Sequence, residues 1–372
     1  MRVKLKDIAS FAKGQQINGD DLDPNGQYDF LNGGIAPSGR WTDFNVEGGT
    51  VAISEGGNSC GYVNYMESPF WCGAHCYYLF DLQCEAKYLF YALKSQEDRL
   101  MALRSGACMP NIRKNSLTDF EFYFDNEISA QKNVIQTLDK VSNLIALRKQ
   151  QLDKLDELVK SRFVEMFGDP ETNPKRYEKR KLASLTRKIS DGVHAKPEYT
   201  KIGRPFLSVV NINKGVINFD GCKFVSEEAY QKMIKSTCPE RGDVLYTKVG
   251  ATYGIPAYVD TDTKFCLYVS VSLIKPKHDE INSKFLALSM GMPYVKRQAD
   301  SRIKGIGVPD LHLNQISEFD ILCPSREEQE VFISFVEQSD KCKLTIQRGL
   351  DKLETMKKAL MQQYFGFKER DK

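Results

Sequence analysis

The chain reads as a mixed α/β protein in which two α/β modules alternate with two long helices, giving a pseudo-twofold internal repeat. Three observations predict this. Leu152-Asp153-Lys154-Leu155 recurs as Leu350-Asp351-Lys352-Leu353, and Phe167-Gly168 recurs as Phe365-Gly366, both at an offset of 198 residues. Segments 131–168 and 329–366 therefore align without a gap, and both carry heptad spacing. The segments in front of them, 1–129 and 181–327, share an ordered series of short strands, glycine loops and helices. A period of about 200 residues is too long for a solenoid and implies a duplicated module plus helix.

The first long helix is the clearest element. Val134, Leu138, Val141, Ile145, Leu152, Leu155 and Val159 follow a 4,3 alternation interrupted only at Arg148, which is a coiled-coil-like seam. No Gly or Pro falls between Gln131 and Phe167, so the helix is expected to run about 57 Å at 1.5 Å per residue. Gly168 and Pro170 supply a stop, followed by the polar stretch Glu171-Thr172-Asn173-Pro174-Lys175-Arg176. In the second copy Phe332, Val336, Ile346, Leu350 and Leu353 fill the seam, together with the polar residues Ser339, Lys343 and Lys357. Ser325 with Glu328 forms a capping box in front of it, and Gly349 inside it costs about 1 kcal/mol relative to Ala. Two long amphipathic helices in one chain pack most economically on each other, in antiparallel fashion.

The modules repeat with drifting offsets. Lys4-Leu5 matches Lys181-Leu182, and Phe30-Leu31 matches Phe206-Leu207. Val51-Ala52-Ile53-Ser54 matches Val244-Leu245-Tyr246-Thr247, each a short buried strand entering a glycine loop. In those loops Gly57 pairs with Gly250 and Gly61 with Gly254. Residues 86–103 and 283–298 read as helices. Gly106…Pro110 then matches Gly305…Pro309, and Asn115 and Phe120 match Asn314 and Phe319. The expected division is 1–129, first module; 130–168, first helix; 169–180, linker; 181–327, second module; 328–366, second helix; 367–372, tail. The helices match more closely than the modules, so a common scaffold carries diverged heads.

Composition bounds the function. At 372 residues with 41% hydrophobic and 27% charged content, the chain is ordinary for a globular protein of two or three domains. The N-terminus lacks an apolar h-region and no run reaches the ~18 residues a membrane span needs. Ten cysteines without framework spacing fit a reducing cytoplasm. A phosphate-binding G-x-x-x-x-G-K-[ST] loop and a Pro-Pro dipeptide of the amino-methyltransferase type do not occur. Gly305-Ile306-Gly307 lacks the rest of a dinucleotide fingerprint. Cys72-Gly73-Ala74-His75-Cys76 has no second ligand pair, so a buried strand explains it better than zinc. No catalytic residue and no metal ligand is assigned.

A net charge of +3 is too small to mark a nucleic-acid binder, so local charge must decide. Residues 86–114 hold six basic against two acidic residues, and 284–304 hold five against one. Both clusters adjoin the Gly…Pro element, with Arg113 and Lys114 just past it in the first. The candidates for DNA contact are Ser54, Asn58, Ser59, Arg99, Arg104, Arg113 and Lys114 in the first module. Thr247, Lys248, Thr252, Tyr253, Lys296, Arg297, Arg302 and Lys304 are those of the second. Basic residues would meet phosphates, while polar loop residues would reach base edges.

The duplicated order of these motifs resembles the specificity subunit of type I restriction–modification systems over nearly the whole length. Its carriers are Lys4-Leu5, Lys181-Leu182, the two Gly…Pro elements, Gln131 and Gln329, Leu152-Asp153-Lys154-Leu155-Asp156-Glu157-Leu158, and Ser161-Arg162-Phe163-Val164-Glu165-Met166-Phe167-Gly168-Asp169-Pro170. The resemblance implies two target-recognition domains, each reading one half of a bipartite asymmetric double-stranded DNA site, with the helices fixing the gap. It also implies docking of two modification subunits, which bind S-adenosylmethionine and flip the target adenine, and of restriction subunits using ATP and Mg2+. None of that chemistry would reside in this chain, which holds no cofactor of its own. Two other readings stay open: a self-contained restriction enzyme with a diverged nuclease site, and a coiled-coil DNA-binding adaptor without sequence specificity.

Overall fold

The computed structural model describes residues 1–106, 110–213, 215–303 and 308–366. Lys304, Gly305 and the expected tail 367–372 lie outside the described residues. The chain divides into two compact units, Met1–Gln151 with Ile346–Lys372, and Leu152–Thr345. Each unit therefore takes a module and a piece of both long helices.

In unit 1 a four-stranded antiparallel sheet has the order Ser10–Lys13, Cys76–Phe80, Thr50–Ser54, Val63–Met66. Unit 2 repeats it as Thr186–Asp191, Val271–Pro276, Val244–Thr247, Pro256–Tyr258. The central strands 50–54 and 244–247 are the predicted buried runs, and Val51, Ile53, Val244 and Tyr246 are sealed from solvent. A three-stranded sheet accompanies each: Gly39–Trp41, Tyr28–Leu31, Phe70–Cys72 in unit 1, and Lys223–Val225, Arg204–Leu207, Cys266–Leu267 in unit 2. A two-stranded ribbon closes each module, Arg2–Lys4 with Glu121–Tyr123, and Glu178–Lys181 with Asp320–Cys323.

The regions read as single helices are each broken in two. Ala86–Ser95 gives way to Glu97–Met101, and Ser283–Met290 to Pro293–Asp300. Gly291 caps the one helix while Pro293 opens the next, where its missing N–H has no partner to lose. In unit 1 Gln96, at φ −110° and ψ 17°, makes the equivalent corner.

The long helices span Ile128–Phe167 and Arg326–Phe365, 40 residues each. Ser325 and Glu328 form the expected capping box: Ser325 N donates to Glu328 Oε2 at 2.9 Å and Glu328 N to Ser325 Oγ at 3.3 Å. Gly168 adopts φ +78° just past the first helix, as its capping role requires. Within unit 1, Lys149 reaches Glu354 at 3.0 Å, while Leu138 and Phe365 share one core, so the two helix segments run antiparallel. Within unit 2, Lys343 reaches Asp156 at 2.6 Å while Phe163 packs on Phe332, again antiparallel.

Burial along the seam is graded. Leu138, Val141, Val159, Phe332, Val336 and Leu350 are buried; Val134, Ile145, Leu152, Leu155, Ile346 and Leu353 are half-buried; Arg148 is exposed. The repeated Phe-Gly ends acquire a meaning. Phe167, closing the first helix, is enclosed in the core of unit 2, against Phe285 and Phe332. Phe365, closing the second, is enclosed in the core of unit 1, against Tyr88.

Candidate nucleic-acid interface

The two glycine loops are the same device built twice. Thr50–Ser54 ends in Glu55, and Gly57 and Gly61 turn the chain at φ +74° and +91°. Val244–Thr247 ends in Lys248, and Gly250 and Gly254 turn it at φ +84° and +89°. That left-handed region favours glycine, which has no Cβ to clash. A Cβ on Gly61 would also stand 2.7 Å from Met101 N. Gly61 N donates to Ser54 O and Gly254 N to Thr247 O, each at 2.8 Å.

The loops are then fastened to the residues that close each Gly…Pro element. Gly57 N donates to Pro110 O at 3.0 Å, and Gly250 N to Pro309 O at 2.9 Å. Ile112 N donates to Glu55 O and Leu311 N to Lys248 O, each at 2.9 Å. Each loop and its tethered residues, 110–112 in unit 1 and 309–311 in unit 2, thus form one ledge. Behind the ledge Arg99 lies over Phe120 at 5.1 Å, and Arg302 over Phe319 at 5.5 Å. The aromatic pair and the cation–π geometry therefore recur together.

The candidates divide by exposure. Asn58, Arg104, Arg113, Lys114 and Thr252 are exposed. Ser59 and Tyr253 are half-buried; the Ser59 hydroxyl donates to Gly33 O, and Tyr253 donates to Asp300 Oδ1 at 2.5 Å. Lys296 lies 3.5 Å over the Tyr253 ring and pairs with Asp300. Lys296 and Tyr253 together hold the Asp300 carboxyl below its usual range. Arg297 pairs with Glu171, and Arg302 donates to Gln298 O and Glu318 O. Arg99 donates to Gln96 Oε1 and Glu121 O.

Three of the candidates for DNA contact are buried. Ser54 is sealed, its hydroxyl donating to Gly34 O at 2.8 Å, and Thr247 is sealed, donating to Thr252 O at 2.7 Å. Lys248 has a side chain only 6% exposed and pairs with Asp191 at 3.6 Å and Asp310 at 3.4 Å. They sit at the foot of the loop, where the strand is still central to the sheet. In unit 1 the matching Glu55 is buried against Lys13 at 2.5 Å, with the Tyr77 hydroxyl at 3.4 Å. Burial and Glu55 push that tyrosine up to about 12. Sequence reading overlooked Glu55, Lys13, Asp191 and Asp310; the signal was an acid opposite a base at one loop position. Among the described residues no group of three or more His, Cys, Asp or Glu is arranged to hold a metal ion, and no helix is long and apolar enough to cross a membrane.

A family model described as the type I restriction modification DNA specificity domain matches residues 1–157 and 174–355, which includes both glycine loops and both Gly…Pro elements. The chain belongs to that family. Among type I specificity proteins it is similar to a protein named as a specificity subunit in Mycoplasma pneumoniae, 34% identical over 157 residues, covering 41% of this chain and 40% of the relative. A counterpart in Mycoplasma genitalium is 34% identical over 150 residues, covering 38% and 39%. In those two the match spans less than half of the relative's length. A specificity subunit of a Methanocaldococcus jannaschii type I restriction enzyme is 22% identical over 290 residues, covering 74% and 68%.

Two solved structures share the type I specificity fold. The S subunit of an M. genitalium type I restriction–modification system superposes with TM-score 0.62 at 20% identity, covering 99% of this chain and 96% of that one. A chain from a study of complex assembly and conformational transition in a type I system gives TM-score 0.56 at 13% identity, covering 98% and 97%.

Proposed function

We propose that this chain is the non-catalytic DNA-recognition subunit of a type I restriction–modification complex, each unit reading one half of a bipartite, asymmetric site in double-stranded DNA. The observation that carries this is the repetition of one ledge with different side chains on it. The backbone bonds that tie loop, central strand and the residues around Pro110 or Pro309 are the same in both units, while the exposed candidates differ: Asn58, Arg104 and Arg113 in one, Thr252 and Arg297 in the other. Exposed cations supply the sequence-independent attraction to phosphates, and the polar loop residues supply discrimination at base edges.

The paired long helices set the unread gap between the half-sites and present a surface to two modification subunits. Those partners bind S-adenosylmethionine and methylate adenine; restriction subunits using ATP and Mg2+ join them to cut unmodified DNA, all in the cytoplasm. This chain's contribution is the address. Affinity for random and selected duplexes, measured across salt concentrations on the complex with its modification subunits, tests the reading. A selected duplex bound at least a hundredfold more tightly than random DNA supports it; equal affinity for all sequences contradicts it. Cleavage of unmodified DNA by the purified chain with magnesium would instead favour a self-contained enzyme.

A further inference from the structure

The foot of each glycine loop carries an ion pair with one buried member, Glu55 or Lys248, and its polarity is opposite in the two units. Strand register fixes the correspondence. Lys13 ends the first sheet strand of unit 1 opposite Tyr77, and Asp191 ends the first sheet strand of unit 2 opposite Ser272. Tyr77 and Ser272 in turn face Ile53 and Tyr246, the residues one before Ser54 and Thr247. Glu55 and Lys248 are the next residues on, each following its strand directly. The third position corresponds too: Asn111 precedes Ile112, which bonds to Glu55 O, and Asp310 precedes Leu311, which bonds to Lys248 O. Unit 1 thus has Lys13, Glu55 and Asn111 where unit 2 has Asp191, Lys248 and Asp310.

Glu55 and Lys248 stand where three segments converge. Glu55 N donates to His75 O, and Lys248 N to Ser270 O, so the turn before the neighbouring strand is held as well. Their side chains, 11% and 6% exposed, cannot discharge their charge to water and depend on the partner given to them. Removing or reversing that partner leaves a buried charge unmatched at the root of the ledge.

We propose that these are two charge-inverted latches, in which Lys13–Glu55 and Asp191–Lys248–Asp310 act as positioning residues that fix each loop on residues 110–112 or 309–311 for reading its own half-site. Lys248 then belongs to the loop's support, not to the surface that meets DNA. Opposite polarity also makes the latches mutually exclusive: a loop root taken from one unit meets a like charge in the other. The proposal rests on the DNA-reading role above, and the test separates the two.

The full chain is co-expressed with its modification subunits, and methylated sites are sequenced. Lys248→Glu should lower discrimination at one half-site at least tenfold and leave the other half unchanged. The triple variant Asp191→Lys, Lys248→Glu, Asp310→Asn, which installs the polarity of unit 1, should restore most of the lost discrimination. Failure of the triple variant to restore it in a folded protein, or unchanged discrimination in Lys248→Glu, overturns the latch. If Lys248→Glu fails to fold, Lys248→Met replaces it: broadened preference at one half supports the latch and unchanged preference overturns it. Amide exchange at Gly250 and Leu311 reports on the latch without any DNA; Lys248→Met should accelerate both at least tenfold, and wild-type protection in that variant overturns it. Loss of the DNA-reading role alone would appear as wild-type protein that modifies no split site while the exchange result stands.

Discussion

Gln131 and Gln329 make the same double hydrogen bond, one in each unit. Gln131 Oε1 accepts from Glu85 N at 3.0 Å and its Nε2 donates to Asp125 O at 2.6 Å. Gln329 Oε1 accepts from Asn282 N at 2.9 Å and its Nε2 donates to Pro324 O at 2.9 Å. Both side chains are buried. Each ties the first turn of a long helix to the start of a module helix, so the helix enters its unit at a fixed place.

Either glutamine replaced by Ala strands a backbone N–H and a carbonyl in a buried setting, which costs about 1–3 kcal/mol. Gln131→Ala and Gln329→Ala should each lower the unfolding free energy by that amount, read as a lower urea midpoint at unchanged m. Faster amide exchange should appear at Glu85 in the first variant and at Asn282 in the second.

Gly349 lies in the interior of the second long helix, and a Cβ there would meet nothing within 4 Å. Replacing it by Ala removes conformational freedom from the unfolded chain without a steric penalty. Gly349→Ala should therefore stabilise the protein by about 0.5–1 kcal/mol, read as a raised thermal midpoint.

The two seam lysines fare differently. Lys343 is paired with Asp156 at 2.6 Å. The Lys357 ammonium is held below the ordinary lysine range, by burial first and then by Lys94 and Lys149. Its folded form therefore releases the proton before the unfolded form does, near 10.4. Stability should rise with pH between the folded value and about 10.4, because the unfolded chain binds the extra proton across that window. Lys357→Met should raise stability at neutral pH by up to about 1 kcal/mol and flatten the alkaline rise. A pH series of urea midpoints checks both.

Arg104 and Arg113 are exposed beside the first ledge. As phosphate contacts, each replaced by Ala should weaken binding to all duplexes about equally and reduce the slope of log K against log salt by about 1. Asn58→Ala should instead narrow the gap between selected and random DNA and leave the slope unchanged. Fluorescence anisotropy of the complex with its modification subunits across salt concentrations measures both.

The helices and the module order were legible because repetition and heptad spacing are local signals. The capping box at Ser325 and the turn glycines Gly57, Gly61, Gly250 and Gly254 were legible for the same reason: a positive φ or a cap leaves its mark within a few residues. The corners at Gln96 and Pro293 were lost in continuous apolar patterns. Burial of the Lys248 side chain was not legible, since it depends on Asp191 and Asp310, each more than 50 residues away in sequence. Phe167 and Phe365 were visible as a repeat, but which core each enters is a long-range fact.

Each unit is proposed to address one half of a split site. Methylome sequencing of cells carrying the chain and its modification subunits, before and after residues 181–327 are exchanged for those of another type I specificity chain, tests it most directly. One half-site should change while the other half and the gap persist. Modification retained with both halves altered, or with neither altered, would contradict it.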